Sequence, residues 1–331
     1  MKKKLLTSFG FFCLCLILSF SSCREKSAAS ASSASEGKIS ILATVFPAYD
    51  WAKNIAAASE SVYVDLLLKD GVDMHSYQPS AADIVKISTA DIFIYVGGES
   101  DAWVESALKN ASNEKMLVIN LMDVLKGFVK KEELVEGMQE AHEEEHGSQA
   151  HLAGHPADEE EYDEHVWLSL NNAIAVSNEI ARALMEKDET NAQTYMANLV
   201  AYVDKLAALK QEYTGAFGDK TIVVCDRFPF RYLTDEFGLK YYAAFAGCSA
   251  ETEASFDTIA FLSVKVHNLN SEKVFVTESA DKKIARTVVS SAGVKDCKIV
   301  VLDSMQSTTL KQAQKGKNYL EVMRANLEAL K

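Results

Sequence analysis

Two separate blocks of the chain alternate short β-branched runs with amphipathic stretches, and this pattern restricts the fold more than any single motif does. In the first block ISILATVF (39–46), VYVDLLL (62–68), ADIFIYVGG (90–98) and KMLVINL (115–121) read as strands, with a helix over 50–58 and a second one capped by Ser80, with Asp83 three positions on. In the second block TIVVC (221–225), KYYAAF (240–245), KVFVT (273–277) and KIVVLD (298–303) read as strands, separated by helices around 230–236, 255–269, 281–292 and 317–330. Strands that alternate with helices imply βαβ units and parallel sheets. Between the blocks, Ser169–Lys187 and Glu189–Phe217 read as long helices, the second with Tyr195, Leu199, Tyr202, Leu206 and Leu209 at three- and four-residue steps. The expected fold class is therefore α/β. Two lobes with parallel-type sheets, residues 38–187 and 219–331, are joined by a long rigid backbone helix over 188–218. Ligands of open parallel sheets bind beyond the carboxyl ends of the strands, so the polar residues that follow each strand are the candidates for function.

The amino-terminal end carries an address. Lys2, Lys3 and Lys4 precede an apolar run from Leu5 to Phe20, which is short for a membrane span of about 20 residues and reads as a secretory signal. Cys23, directly after Ser21 and Ser22, makes 1–22 a lipoprotein signal peptide and Cys23 the lipidation site. Residues 23–37, rich in Ser and Ala, read as a flexible tether. Three cysteines remain in the body, Cys225, Cys248 and Cys297, and an oxidising compartment leads to the expectation of one disulfide and one buried thiol.

The formal net charge is −13, and an acidic balance of this size excludes a nucleic-acid partner, which needs a basic face. The charge is concentrated in one segment. Residues 132–164 contain 13 Asp and Glu and no Lys or Arg, together with His142, His146, His151 and His155. A stretch this polar is expected to stay solvated, with its histidines acting as a low-affinity metal collector. His142-Glu-Glu-Glu-His146 matches the H-E-x-x-H signature of zinc proteases, but its flanks lack the apolar stripe that such a helix buries beside a substrate cleft.

The candidate chemistry sits at strand ends. His75 lies in the loop GVDMHSYQPS (71–80), His165 lies in DEHVWL (163–168) between carboxylates that can orient its imidazole, and Asp303 and Glu278 each follow a strand. Histidine with carboxylate suits a divalent transition metal, zinc or the harder manganese. MHSYQPS, DEHVWLSL, Asp303 and the closing NYLEVMRANLEAL (318–330), with Phe46–Trp51, the histidine-rich acidic loop and the long helix, resemble the zinc/manganese solute-binding proteins of ABC transporters. The resemblance runs from about Lys38 to Lys331.

It implies a metal site between the lobes, with His75, His165 and Asp303 as ligands. It also exposes a departure: Arg227 falls on the usual fourth ligand position, and arginine stays protonated and cannot bind a cation. Asp226 next to it, or water, Glu251 or Glu278, would complete the shell. The implied function is capture of Zn²⁺ outside the cytoplasm by a lipid-anchored monomer. The ion would be delivered to a membrane permease and its ATPase, with no reaction catalysed and with affinity falling as pH drops through the histidine range. Mn²⁺ or Fe²⁺ is the alternative cargo. A secreted metalloprotease using His142 and His146, and a surface adhesin, are the rivals from other classes.

Overall fold

The computed structural model describes residues 37–139, 161–249 and 253–331. The expected signal peptide, Cys23, nearly all of the expected tether, His142, His146, His151, His155 and Glu251 lie outside the described residues.

The first lobe contains β1 (Ile39–Ala43), α1 (Phe46–Ile55), β2 (Val62–Leu66), α2 (Ala81–Thr89), β3 (Ile92–Tyr95), α3 (Trp103–Lys109), β4 (Leu117–Asn120) and α4 (Leu121–Val124). Its four strands are all parallel, in the order β2-β1-β3-β4. α2 opens on the expected cap, since Ser80 Oγ accepts from Asp83 N at 3.3 Å while the Asp83 carboxylate accepts from Ser80 N at 3.0 Å. α5 (Leu170–Lys187), capped by Ser169, and α6 (Ala192–Tyr213) follow.

The second lobe contains β5 (Thr221–Phe228), α7 (Arg231–Phe237), β6 (Lys240–Ala246), α8 (Phe256–Asn268), β7 (Lys273–Thr277), α9 (Lys283–Ala292), β8 (Lys298–Leu302), α10 (Leu310–Gln314) and α11 (Tyr319–Leu330). Its sheet repeats the topology of the first, with parallel strands in the order β6-β5-β7-β8. The expected two-lobed α/β architecture is thus the observed one.

α6 has 22 residues and so rises about 33 Å. It is shorter than the periodicity suggested. Asp188 accepts from Asn191 N across a 3-10 turn at its start, and at its end the chain leaves the helix at Thr214, ahead of Gly215 in the left-handed region. The five apolar residues that marked it, Tyr195 to Leu209, are all buried. They belong to one continuous core that includes Trp51 and Ile94 of the first lobe and Phe228, Phe275, Met323 and Leu327 of the second. β5 alternates faces: Ile222 and Val224 join that shared core, while Val223 and Cys225 point into a smaller cluster between the second sheet and α8 and α9.

Two expectations change here. All three body cysteines are free thiols. Cys225 is buried in the smaller cluster with Cys297 packed against it, while Cys248 lies past the end of β6. The opening of the acidic segment is also not free in solvent. Residues 130–139 run along the second lobe, with Lys130 paired to Asp235 at 2.8 Å, Glu136 to Lys265 at 3.1 Å, and Gln139 N donating to Ala244 O at 2.9 Å. Val129 and Met138 pack on the shared core and account for this docking.

Candidate metal centre

The loops that follow the carboxyl ends of the strands in both sheets meet in one place. His75 comes from the loop after β2, on a single 3-10 turn (Met74–Ser76) in which its own backbone amide donates to Asp73 Oδ1 at 3.1 Å. His165 precedes the buried Val166-Trp167-Leu168 turn, where Trp167 Nε1 donates to Ser304 O at 2.9 Å and anchors the segment to the second lobe. The two imidazoles converge with Nε2 to Nε2 at 3.3 Å. Two nitrogens bound to one tetrahedral zinc at about 2.0–2.1 Å stand about 3.3 Å apart, so this spacing is the one a shared ion requires.

The carboxylates flanking His165 serve different rings. Asp163 Oδ1 accepts from the backbone N of His165 at 2.8 Å and faces its Nδ1 at 2.9 Å. Glu164 reaches the other histidine: its Oε1 accepts from Ser100 N at 2.9 Å, and Ser100 Oγ lies 2.7 Å from His75 Nδ1. Glu164 Oε2, buried and without a hydrogen bond, faces the same Nδ1 at 3.5 Å. With each Nδ1 held by an oxygen, each proton belongs on that nitrogen and each Nε2 lone pair points into the centre. Burial, and then the neighbouring His165, holds the His75 imidazole far below its ordinary value, at about 3, so it stays neutral and able to ligate. Gly98 makes this packing possible. It has φ +80°, and a Cβ there would stand 2.3 Å from Glu164 Oε1.

The second lobe supplies groups other than those expected. Asp303 is not among the converging side chains: its Oδ2 is paired with Lys317 Nζ at 2.6 Å and its Oδ1 accepts from Met305 N at 2.8 Å. Glu278 likewise accepts from Ser304 N at 2.8 Å and Ser307 N at 3.2 Å. Together they brace the loop 303–307, in which Met305 is held at φ +66°. The residue this loop presents is Gln306, whose side-chain amide nitrogen lies 2.7 Å from His165 Nε2 and 3.1 Å from His75 Nε2.

Asp226 faces Thr277, accepting from its N at 3.0 Å and its Oγ1 at 2.5 Å, because the irregular end of β5 carries it into the sheet. Arg227 turns to the opposite lobe and pairs with Asp73 at 2.8 Å. Burial raises the Asp73 pKa, but Arg227 and His75 outweigh it, and the carboxyl ends below its ordinary value. Cys248, directly after Gly247, is the remaining donor: His75, His165 and Cys248 each offer a ligand atom within 4.8 Å of the others.

Of the residues singled out from the sequence, the structure brings His75 and His165 together; Gln306, Cys248 and Ser100 beside them, and the pairing of Arg227 with Asp73, were not singled out. Cys248 and Gln306 do follow strands, which is the one signal that could have flagged them.

The family described as zinc-uptake complex component A, periplasmic (ZnuA) matches residues 41–331. The zinc-binding protein AdcA of Streptococcus pyogenes serotype M3 is 30% identical over 305 residues, covering 89% of this chain and 56% of AdcA, so the chain spans about half the length of that relative. The high-affinity zinc uptake system protein ZnuA of Bacillus subtilis is 29% identical over 319 residues, covering 96% and 94% of the two chains. Among solved structures, the Zn(II)-bound ZnuA-like domain of Streptococcus pneumoniae AdcA superposes with TM-score 0.66 at 29% identity, covering 89% of this chain and 98% of that one. With two lobes of matching topology, a pair of facing histidines between them and a family match over nearly all of its body, this chain belongs to the ZnuA family of zinc-uptake components.

Proposed function

We propose that the protein captures Zn²⁺ outside the cytoplasm and delivers it to the permease of an ABC transporter, catalysing no reaction. The observation that carries this reading is the pair of oppositely braced imidazoles with Nε2 atoms 3.3 Å apart, the separation of two nitrogens on one zinc ion. Zinc is the cargo, and His75 and His165 are its nitrogen ligands. The names of the relatives support the same metal, and Cys23 would tether the chain to the membrane as a lipoprotein. Manganese, the alternative cargo, calls for hard carboxylate donors, and Asp226, Asp303 and Glu278 are all engaged elsewhere.

Competition titration of the metal-free protein with a chromophoric chelator tests the assignment. Zinc is expected to bind one tight site that both His75→Ala and His165→Ala abolish, and to outcompete manganese. Manganese binding as tight as zinc would defeat the zinc reading. Deleting residues 139–160 is expected to leave the tight site in place, whereas a protease built on His142 and His146 would lose its only one.

A further inference from the structure

Resting on the reading of the cleft as a zinc site, we propose that Cys248 is the anionic ligand of the centre, its Sγ joining His75 Nε2 and His165 Nε2 on one ion. Four observations lead there. The three ligand atoms already lie within 4.8 Å of one another. Tetrahedral zinc sets sulfur and nitrogen about 3.6 Å apart, so closure takes a shift on the order of 1 Å at most, within the reach of a χ1 adjustment.

The second observation is charge. Both imidazoles and the Gln306 amide are neutral donors, and the second-lobe carboxylates expected to offset the dication are bound to Lys317, Thr277, Ser304 and Ser307. Among the described residues grouped with the two histidines, the thiol is the one donor that becomes an anion on metal binding. The third is the backbone that delivers it. A Cβ on Gly247 would stand 3.2 Å from His165 Nδ1 and 2.9 Å from Phe228 O, so the missing side chain lets the end of β6 lie against the histidine. The amide of Cys248 is fixed there by Glu132 Oε1 at 2.9 Å. The fourth is Arg227, which leaves the space by reaching across to Asp73 at 2.8 Å. Arginine on β5 and cysteine after β6 stand at neighbouring strand ends, and the cation is taken up by a bridge between the lobes.

In the binding step the Sγ–H bond breaks, its electron pair forms the sulfur–zinc bond and the proton leaves to solvent, with no change of oxidation state. A thiolate is a soft donor, so this set of ligands selects zinc over manganese more sharply than a carboxylate would.

Cobalt(II) titrated into the whole protein reads the bond directly. The wild type is expected to show an intense near-ultraviolet sulfur-to-cobalt charge-transfer band. Cys248→Ser is expected to lose that band while keeping the weak visible absorption of histidine-bound cobalt, and to bind zinc about 100-fold more weakly, at or beyond the upper end of the loss expected for an outer partner. Cys248→Asp, which restores an anion, should recover most of the zinc affinity without the band. Cobalt bound in a manner that His165→Ala abolishes, yet without a charge-transfer band, would overturn the thiolate and leave the zinc site standing. Persistence of the band in Cys248→Ser would also overturn it. A wild type that binds neither ion would defeat the zinc reading itself.

Discussion

Asp163 is the most informative single position to perturb, because it acts on a ligand without being one. It is buried, and its Oδ1 holds both the backbone N of His165 at 2.8 Å and its Nδ1 at 2.9 Å. Asp163→Ala removes both partners, so the imidazole loses its fixed tautomer and its ring orientation. A hydrogen bond to a charged group contributes about 1.5–3 kcal/mol, and loss of an outer partner of a metal-binding histidine costs about 10–100-fold in affinity, which is about 1.4–2.7 kcal/mol. The two ranges agree, and zinc affinity is expected to fall by that factor. Asp163→Asn, which can still accept through its amide oxygen, should lose less. The assay is chelator competition at neutral pH, with circular dichroism confirming the fold; the backbone carbonyl that accepts from Tyr232 Oη at 2.8 Å is untouched by the change. Unchanged zinc affinity in a folded Asp163→Ala variant would refute the argument that this carboxylate prepares His165.

Three further outcomes are expected. Arg227→Met removes the bridge to Asp73, a pair about a quarter exposed on each side, and should lower the stability of the metal-free protein by about 1 kcal/mol in denaturant titration, with weaker salt dependence than the wild type. Gly98→Ala drives a Cβ into Glu164 at a left-handed backbone position and should cost more than about 2 kcal/mol of stability while weakening zinc binding through His75; a variant as stable as wild type would remove Gly98 from the account. Asp50, buried among α1, α6 and α11, is raised by burial to about 6, so the folded state holds its proton more tightly than the unfolded chain does. The stability it contributes is present below about pH 4 and is lost as pH rises through 6, a swing of about 3 kcal/mol. Asp50→Asn should therefore raise the melting temperature more at pH 7.5 than at pH 4.5, as scanning calorimetry at the two pH values can check.

The fold was legible because its signals are local. Alternating strands and helices, the Ser80 cap and the apolar stripe from Tyr195 to Leu209 each depend on residues within a few positions of one another. The site was legible only in part. His75 and His165 stand in distinctive loops, but whether a carboxylate at a strand end points at a metal depends on partners far along the chain. Asp303 meets Lys317 and Asp226 meets Thr277, which strand-end reasoning cannot anticipate. Gln306 and Cys248 carry no motif and are brought in by loops that other residues brace.

The shared core has a mechanical consequence. Residues of both lobes and of α6 belong to one apolar cluster, so parting the lobes would bring Trp51, Leu206, Phe275 and Met323 toward water at about 1.5–3 kcal/mol for each large side chain exposed. An opening of that kind approaches the cost of unfolding. The two halves therefore melt as a single cooperative unit, and neither is expected to survive excision at an end of α6. On the proposed role in zinc capture, the ion would leave by rearrangement of the loops at the strand ends, and a partner that triggers release would need to grip those loops without prying the lobes apart.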